Sequence, residues 1–179
     1  GIEVNSVEQN IDFNASDYIT MLSLYISMAQ SEDTKISRRT KEGIHASLEK
    51  GKCTYKAPRG YINRQIDDEH KYVEIDKEKA PIIREMFAEV AKGVYTPCYI
   101  QKLFARRGHY IHKNSFLKML RNRFYVGEIY VPEYKDQKIG TIPAHYVKGL
   151  HEPLIDRETF EKVQSIVDKK YRPKLTKRA

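Results

Sequence analysis

The stretch that most constrains the fold is residues 15–50, which contains no proline and a single glycine, Gly43, before the chain reaches Gly51. Apolar residues recur at three- and four-residue spacing in its first half, and Asn14 offers a cap for its start. The pattern predicts one helix over the whole stretch, roughly 50 Å long at ~1.5 Å per residue. Because the apolar stripe thins beyond Ala29, we expect the first half to pack against protein and the second to be solvated, as in a connector.

Charge is distributed unevenly along the chain. Residues 1–34 hold six acidic side chains and no lysine or arginine, whereas residues 35–179 hold all 32 basic residues and 18 acidic ones, a net charge of +14. The whole chain has a formal net charge of +8. Each phosphate that a lysine or arginine neutralises releases counterions, so this excess favours a polyanionic partner over a merely solvated surface. The charge therefore predicts nucleic-acid binding.

The sequence carries no motif for catalysis, metal binding or nucleotide binding. His109 and His112 lack the cysteines or carboxylates that would complete a metal site, and the acidic run at 67–69 is typical of a solvated turn. The two cysteines, Cys53 and Cys98, are far apart and form no CxxC pair, which excludes a zinc ribbon within the chain and indicates a reducing compartment. We expect no catalytic residue, no cofactor and no metal in this chain.

The rest of the chain alternates short helical and extended patterns. Alternation predicts strands at 61–63 and 71–75, and again at 125–131 and 145–151 around a polar loop. Helical periodicity, supported by Thr96 and Asp156 as caps and by Pro97 at a first helical position, predicts further helices. Their expected ranges are 76–93, 95–108, 113–125 and 155–170. The predicted fold is mainly α with small β hairpins (α+β), in which a long connector helix leads into a helical, helix-turn-helix-like DNA-binding domain.

Six sequence features occur together and in order along nearly the whole chain. They are the helix sequence AQSEDTKISRRTKEGI (29–44), Gly51, PRGY (58–61), APIIREMF (80–87), RNRFYVGEIY (121–130) and HEPLID (151–156). In this order and approximate spacing they resemble the large branch of the serine site-specific recombinases, the resolvase/invertase superfamily. Members of that family exchange DNA strands through a phosphoserine intermediate. The resemblance begins late in the catalytic domain, which implies that the serine nucleophile lies upstream of this chain and that the chain alone is inactive.

The resemblance also implies a division of the chain into four parts. Residues 1–28 would be the end of the catalytic domain, and 29–52 a linker helix. Residues 53–130 would form the recombinase DNA-binding domain. The last part, 131–179, would comprise a strand pair, a final helix and a basic tail leading toward an absent zinc ribbon.

The DNA contacts are expected along the linker helix, the segment after it and the helical domain. The resemblance implies that the long helix crosses the minor groove and that the basic segment after it follows the DNA backbone. The helix expected at 113–125 would present base-reading side chains to the major groove, while nearby arginines would contact phosphates. The residues expected at DNA are Arg38, Arg39, Lys41, Lys50, Lys52, Lys56, Arg59, Arg106, Arg107, Lys113, Asn114, Lys118, Arg121 and Arg123.

The expected partner is therefore double-stranded DNA, in the form of an attachment half-site. The parent protein is expected to self-associate as a dimer or tetramer. No apolar run approaches the ~20 residues of a membrane span, so we expect no membrane partner and a cytoplasmic, nucleoid-associated location. Two alternatives stay open on the residues alone: a stand-alone helical transcriptional regulator, and an RNA-binding protein, against which the lack of an aromatic-rich sheet motif argues.

Overall fold

A computed structural model describes residues 16–65, 71–136 and 140–168 of the chain. The chain divides into two compact units, residues 1–44 and 45–179. The predicted long helix is observed as α1 (Tyr18–Glu49). The predicted cap Asn14, the acidic turn at 67–69 and the basic tail at 171–179 lie outside the described residues.

In the first unit, α1 exposes a series of large apolar side chains. Ile19 is 65% exposed, Met28 57% and Ile36 61%. Among the described residues of α1 only Leu48 is buried, and it belongs to the second unit. No side chain of the front half is therefore buried by the described residues of its own unit, 16–44, and the expected protein contact stays a prediction. No helix in the described part of the chain is long and apolar enough to cross a membrane.

Beyond the end of α1, the described residues of the second unit form a cluster of four α-helices with small antiparallel strand pairs. The helices are α2 (Ala80–Ala91), α3 (Pro97–Arg106), α4 (Lys113–Leu120) and α5 (Arg157–Val167). Helix α2 contacts α3 and α5, and α4 contacts the same two helices. The largest fully buried side chains of the core are aromatic: Tyr125, Phe87, Phe104, Phe116 and Phe124.

Three two-stranded antiparallel sheets flank these helices. The strands are β1 (Tyr61–Gln65), β2 (Lys71–Ile75), β3 (Glu128–Val131), β4 (Tyr134–Asp136), β5 (Gly140–Ile142) and β6 (His145–Lys148). Strand β1 pairs with β2, β3 with β6, and β4 with β5. The expected α+β fold class, with a long helix and small hairpins, is confirmed.

Two expectations about single elements were wrong. The helix expected over 113–125 ends at Leu120, and the chain continues as a 3-10 helix, Arg123–Val126. Asn122 starts that second helix, because its Oδ1 accepts a hydrogen bond from the Phe124 amide at 3.0 Å. The polar loop expected between the last two strands contains the β4–β5 hairpin. The caps Thr96 and Asp156 are confirmed, each accepting from a backbone amide three residues on.

The end of α1 is held by a glycine in the left-handed region. Gly51 has a φ of 73°, and its amide donates to the Leu48 carbonyl at 2.8 Å. Its own carbonyl accepts from the Leu150 amide at 2.9 Å, which joins the helix end to the segment after β6. A Cβ at this position would lie 2.4 Å from the Lys148 carbonyl oxygen, closer than any side chain can approach. Only glycine therefore fits at this junction.

His151 occupies the centre of the aromatic core as a neutral imidazole. Its ring stacks on Phe124 with centroids 3.7 Å apart, and its Nε2 donates to the Phe124 carbonyl at 2.7 Å. With the proton on Nε2, the buried Nδ1 is the unprotonated nitrogen, and it has no hydrogen-bond partner among the described residues. Burial consequently lowers the pKa of His151 below the ordinary histidine value.

Replacing Gly51 by alanine is expected to destabilise the fold by about 3 kcal/mol, through left-handed strain and a backbone clash together. Gly108→Ala is the matched control, because Gly108 has a φ of 89° and no atom lies within 4 Å of the place that an alanine Cβ would take. The control should lose only about 1 kcal/mol. Urea unfolding of the three proteins measures both values, and equal losses would contradict the proposed clash.

The His151 imidazole is expected to titrate at lower pH in the folded chain than in the urea-unfolded chain. A lowered folded pKa means that the unfolded state binds the proton first, so this group removes stability as the pH falls below about 6.5. NMR titration of the ring protons in both states measures the difference. Identical midpoints would show that the ring is not buried as described.

Candidate nucleic-acid interface

All fourteen side chains expected at DNA are exposed in the structure. Arg38, Arg39 and Lys41 lie on α1 in the first unit, and the other eleven lie in the second. The second unit brings two of these, Arg59 and Lys118, into one groove, although they are far apart in sequence.

The groove lies between the segment that precedes β1 and the outer side of α4. It has a volume of about 220 Å³. Arg59 contributes from the first of these segments, and Lys118 and Ser115 contribute from the helix. Its remaining lining residues are Pro58, Ile111, Met119, Asn122 and Tyr125. Two cations, a hydroxyl and an amide thus face one concave surface with an apolar floor, a combination that suits a phosphate group.

Arg59 is fixed in this groove from two sides. Its backbone carbonyl accepts a hydrogen bond from the Tyr125 hydroxyl at 2.8 Å. Its guanidinium donates to the Tyr110 carbonyl at 3.4 Å, a long hydrogen bond that leaves the other guanidinium N–H groups available for a ligand. The following residue, Gly60, has a φ of 91°, and a Cβ there would lie 3.2 Å from Leu154. The tight approach of Gly60 to the core therefore sets where the Arg59 side chain begins.

Helix α4 turns its polar side outward because its apolar residues are fully used by the core. Phe116, Met119 and Leu120 are buried. Leu117, next to Phe116, is only partly buried. The exposed side carries the expected residues Lys113, Asn114, Lys118 and, just past the helix end, Arg121. His112 caps the helix, accepting at its Nδ1 from the Asn114 amide at 3.4 Å.

Four of the expected arginines are engaged in surface ion pairs. Arg38 lies 3.5 Å from Glu42, Arg107 2.9 Å from Glu85, Arg121 3.1 Å from Asp168 and Arg123 3.3 Å from Glu128. All four guanidinium side chains are about half exposed. Three of the four carboxylates are also about half exposed, and such pairs contribute at most about 1 kcal/mol, so a phosphate can displace them. The Glu128 side chain, in contrast, is only 18% exposed. These pairs orient the arginines without neutralising them permanently.

The other nine basic residues expected at DNA form no ion pair within the described ranges 16–65, 71–136 and 140–168. They are Arg39, Lys41, Lys50, Lys52, Lys56, Arg59, Arg106, Lys113 and Lys118. Most are lysines, which carry a compact charge on a flexible stem and suit phosphate contacts that need no fixed geometry.

Sequence reasoning missed the ion pair that joins the end of α1 to strand β6. Glu49 lies 3.1 Å from the Nε2 of His145 on β6, just before Lys50 and Lys52. The Pro143 carbonyl, bonded to the other ring nitrogen, and the Glu49 carboxylate together raise the pKa of His145. No signal in the sequence links positions 96 residues apart.

Within the described ranges, no group of three or more His, Cys, Asp or Glu side chains is placed to hold a metal ion.

A long helix leading into a helical domain with a basic groove defines a class of nucleic-acid-binding module, and comparison with known proteins narrows that class. The family model described as Recombinase matches residues 77–170, just over half of the chain. The chain therefore belongs to the recombinase family of serine recombinases, as its sequence motifs predict. A comparison with curated proteins gives no match.

Two similar solved structures agree with this assignment. One is described as the crystal structure of an LSR–DNA complex, where LSR stands for large serine recombinase; it is 27% identical, has a TM-score of 0.54 and is matched over 73% of this chain. The other concerns sequence requirements of the Listeria innocua prophage attP site, with 28% identity, a TM-score of 0.53 and 73% of this chain matched. The match spans 38% and 51% of those two chains.

Removing the Tyr125 hydroxyl tests how the groove is held. Tyr125→Phe is expected to lower the free energy of unfolding by about 1 kcal/mol, because the Arg59 carbonyl loses its buried donor. Tyr110→Phe is the control, since that side chain is 66% exposed. Chemical denaturation of both variants measures the effect. Equal stability of the two would contradict an anchoring role for the Tyr125 hydroxyl.

Proposed function

We propose that this chain is the DNA-binding portion of a serine site-specific recombinase and that it binds a duplex attachment half-site. The observation that carries the proposal is the groove in which Arg59 and Lys118 converge, although 59 positions separate them in the sequence. The family assignment and the DNA complex among the similar structures support the same partner. They do not favour a stand-alone regulator.

The fourteen exposed residues divide into two roles in this proposal. The lysines and all the arginines except Arg121 supply phosphate contacts, which give affinity and register. Asn114 and Arg121, at opposite ends of the exposed side of α4, are the proposed readers of base edges, since amide and guanidinium groups match adenine and guanine. The use of α3 and α4 as a helix-turn-helix stays a prediction.

Strand exchange is proposed for a longer protein of which this chain is a part. The nucleophilic serine is placed upstream, so the chain by itself should bind DNA without cleaving it. Large apolar side chains along α1, such as Leu24 and Ile26, are at least half exposed. They support self-association of that longer protein through the front of the helix. The DNA partner implies a location at the chromosome.

The proposal is tested first by selection from duplexes of about 40 base pairs with randomised sequence, long enough for about four helical turns. The 179-residue chain should enrich a defined sequence and leave it uncut. If the chain binds none of the duplexes at low salt, the proposal that it binds DNA is wrong. Cleavage of the enriched duplex by the purified chain would instead overturn the upstream placement of the nucleophile.

The groove is tested by the salt dependence of binding to the enriched duplex. If Arg59 and Lys118 each neutralise one phosphate, Arg59→Gln and Lys118→Gln should each make the slope of log affinity against log salt shallower by about 0.9. Lys162→Gln is the matched control: it removes the same charge from α5, where Lys162 pairs with Glu158. Fluorescence anisotropy over a salt series measures all slopes. Equal slopes for the groove variants and the control would refute the groove.

A further inference from the structure

The β3–β6 sheet presents two tyrosines side by side to solvent. Ile129 and Val131 on β3 are fully buried, so the residue between them, Tyr130, faces outward. It lies directly opposite Tyr146 on β6, with ring centroids 5.3 Å apart. The two side chains are 48% and 47% exposed. Neither hydroxyl has a hydrogen-bond partner within the described part of the chain.

An arginine and further cations border this tyrosine pair. The Arg123 guanidinium lies 4.6 Å above the Tyr146 ring. Glu128 is the nearby acid, and it is paired with Arg157 as well as with Arg123. Lys148, its cross-strand neighbour, is exposed. Arg123 and Arg157 line one groove together with three carboxylates, those of Glu128, Glu161 and Asp168, so the cations here are largely balanced and the tyrosine pair itself distinguishes this surface.

A third tyrosine lies near this pair, in the segment that follows α1. Tyr55 is 43% exposed and has its ring 6.3 Å from Phe124. Burial raises the pKa of Tyr55 to about 12, and the neighbouring Cys53 and Tyr146 add to the rise. Lys52 and Lys56, two of the residues expected at DNA, are exposed in the same segment as Tyr55.

The chemistry of this surface matches a sugar–phosphate backbone. Deoxyribose offers an apolar face for the edge of an aromatic ring, and the adjoining phosphate accepts hydrogen bonds from tyrosine hydroxyls and guanidinium groups. A cross-strand aromatic pair also stabilises a sheet by about 0.2–1 kcal/mol, but phenylalanine would do so equally well. Base stacking fits less well, because the rings are tilted by 58° and Arg123 covers one face of Tyr146.

We propose that Tyr130, Tyr146 and Arg123 form a second DNA contact surface, in which the tyrosine pair packs on the deoxyribose–phosphate backbone of the duplex that the groove binds. This inference rests on the proposed DNA-binding function and extends the footprint of that site to the outer face of the β3–β6 sheet. It assigns to the sheet a contact made mainly by neutral side chains.

The test is the double variant Tyr130→Phe/Tyr146→Phe, which removes both hydroxyls and keeps the rings. Loss of two hydrogen bonds should weaken binding to the enriched duplex about tenfold. Because no charge is removed, the salt slope should stay at the wild-type value, unlike that of the groove variants. Tyr95→Phe/Tyr99→Phe is the matched control, since those two rings also lie side by side, 4.7 Å apart, and are about half exposed at the start of α3.

Hydroxyl-radical footprinting on the same duplex gives a second readout, because it reports which deoxyriboses the protein covers. Tyr130→Ser/Tyr146→Ser, checked for folding by thermal denaturation, should expose sugars that the wild type and the control protect. Wild-type affinity of the phenylalanine variant together with an unchanged footprint of the serine variant would overturn the inference. That result leaves duplex binding intact, whereas failure of the wild type to bind duplex overturns the proposed function itself.

Discussion

Tyr125 is the residue on which the arrangement of the second unit depends. Its backbone carbonyl accepts hydrogen bonds from the amides of Leu154 and Ile155, both at 2.9 Å, and its hydroxyl donates to the Arg59 carbonyl at 2.8 Å. Three segments far apart in sequence therefore meet at one buried side chain. Each of these bonds is worth only about 1 kcal/mol, but a buried carbonyl left unpaired costs more, so the three segments are held in one arrangement.

The ion pairs of the interface solve a second physical problem, which is how to keep arginines in place before a ligand arrives. A free arginine loses side-chain entropy when it binds, whereas one already paired with a carboxylate has lost part of that freedom. Arg107 and Arg123 are restrained twice, since each pairs with a glutamate and lies over an aromatic ring, that of Phe104 or Tyr146. The exposed carboxylates contribute little energy in water, so exchanging them for phosphates carries a small penalty.

Much of the fold was predictable because its signals are local. The long helix follows from a stretch with one glycine, and the starts of α3 and α5 follow from Thr96 and Asp156, whose side chains cap amides three residues away. The early end of α4 was not predicted, because the side chain of Asn122 caps the following 3-10 helix inside what looks like continuous helical periodicity. The β4–β5 hairpin was also missed, since its short polar strands have no apolar alternation.

The candidate site was predictable as a set of residues but not as a shape. Basic residues near α4 and in the segment after α1 can be identified from charge alone, because exposure of lysine and arginine is the default. That Arg59 and Lys118 share a groove follows from contacts across the fold, including the bond from Tyr125 to Arg59. The tyrosine face of the β3–β6 sheet depends in the same way on register, since a shift by one residue would bury Tyr130 and expose Ile129. Charge composition thus favours a polyanionic partner, while the non-local packing decides which side chains share the groove and which tyrosines face outward.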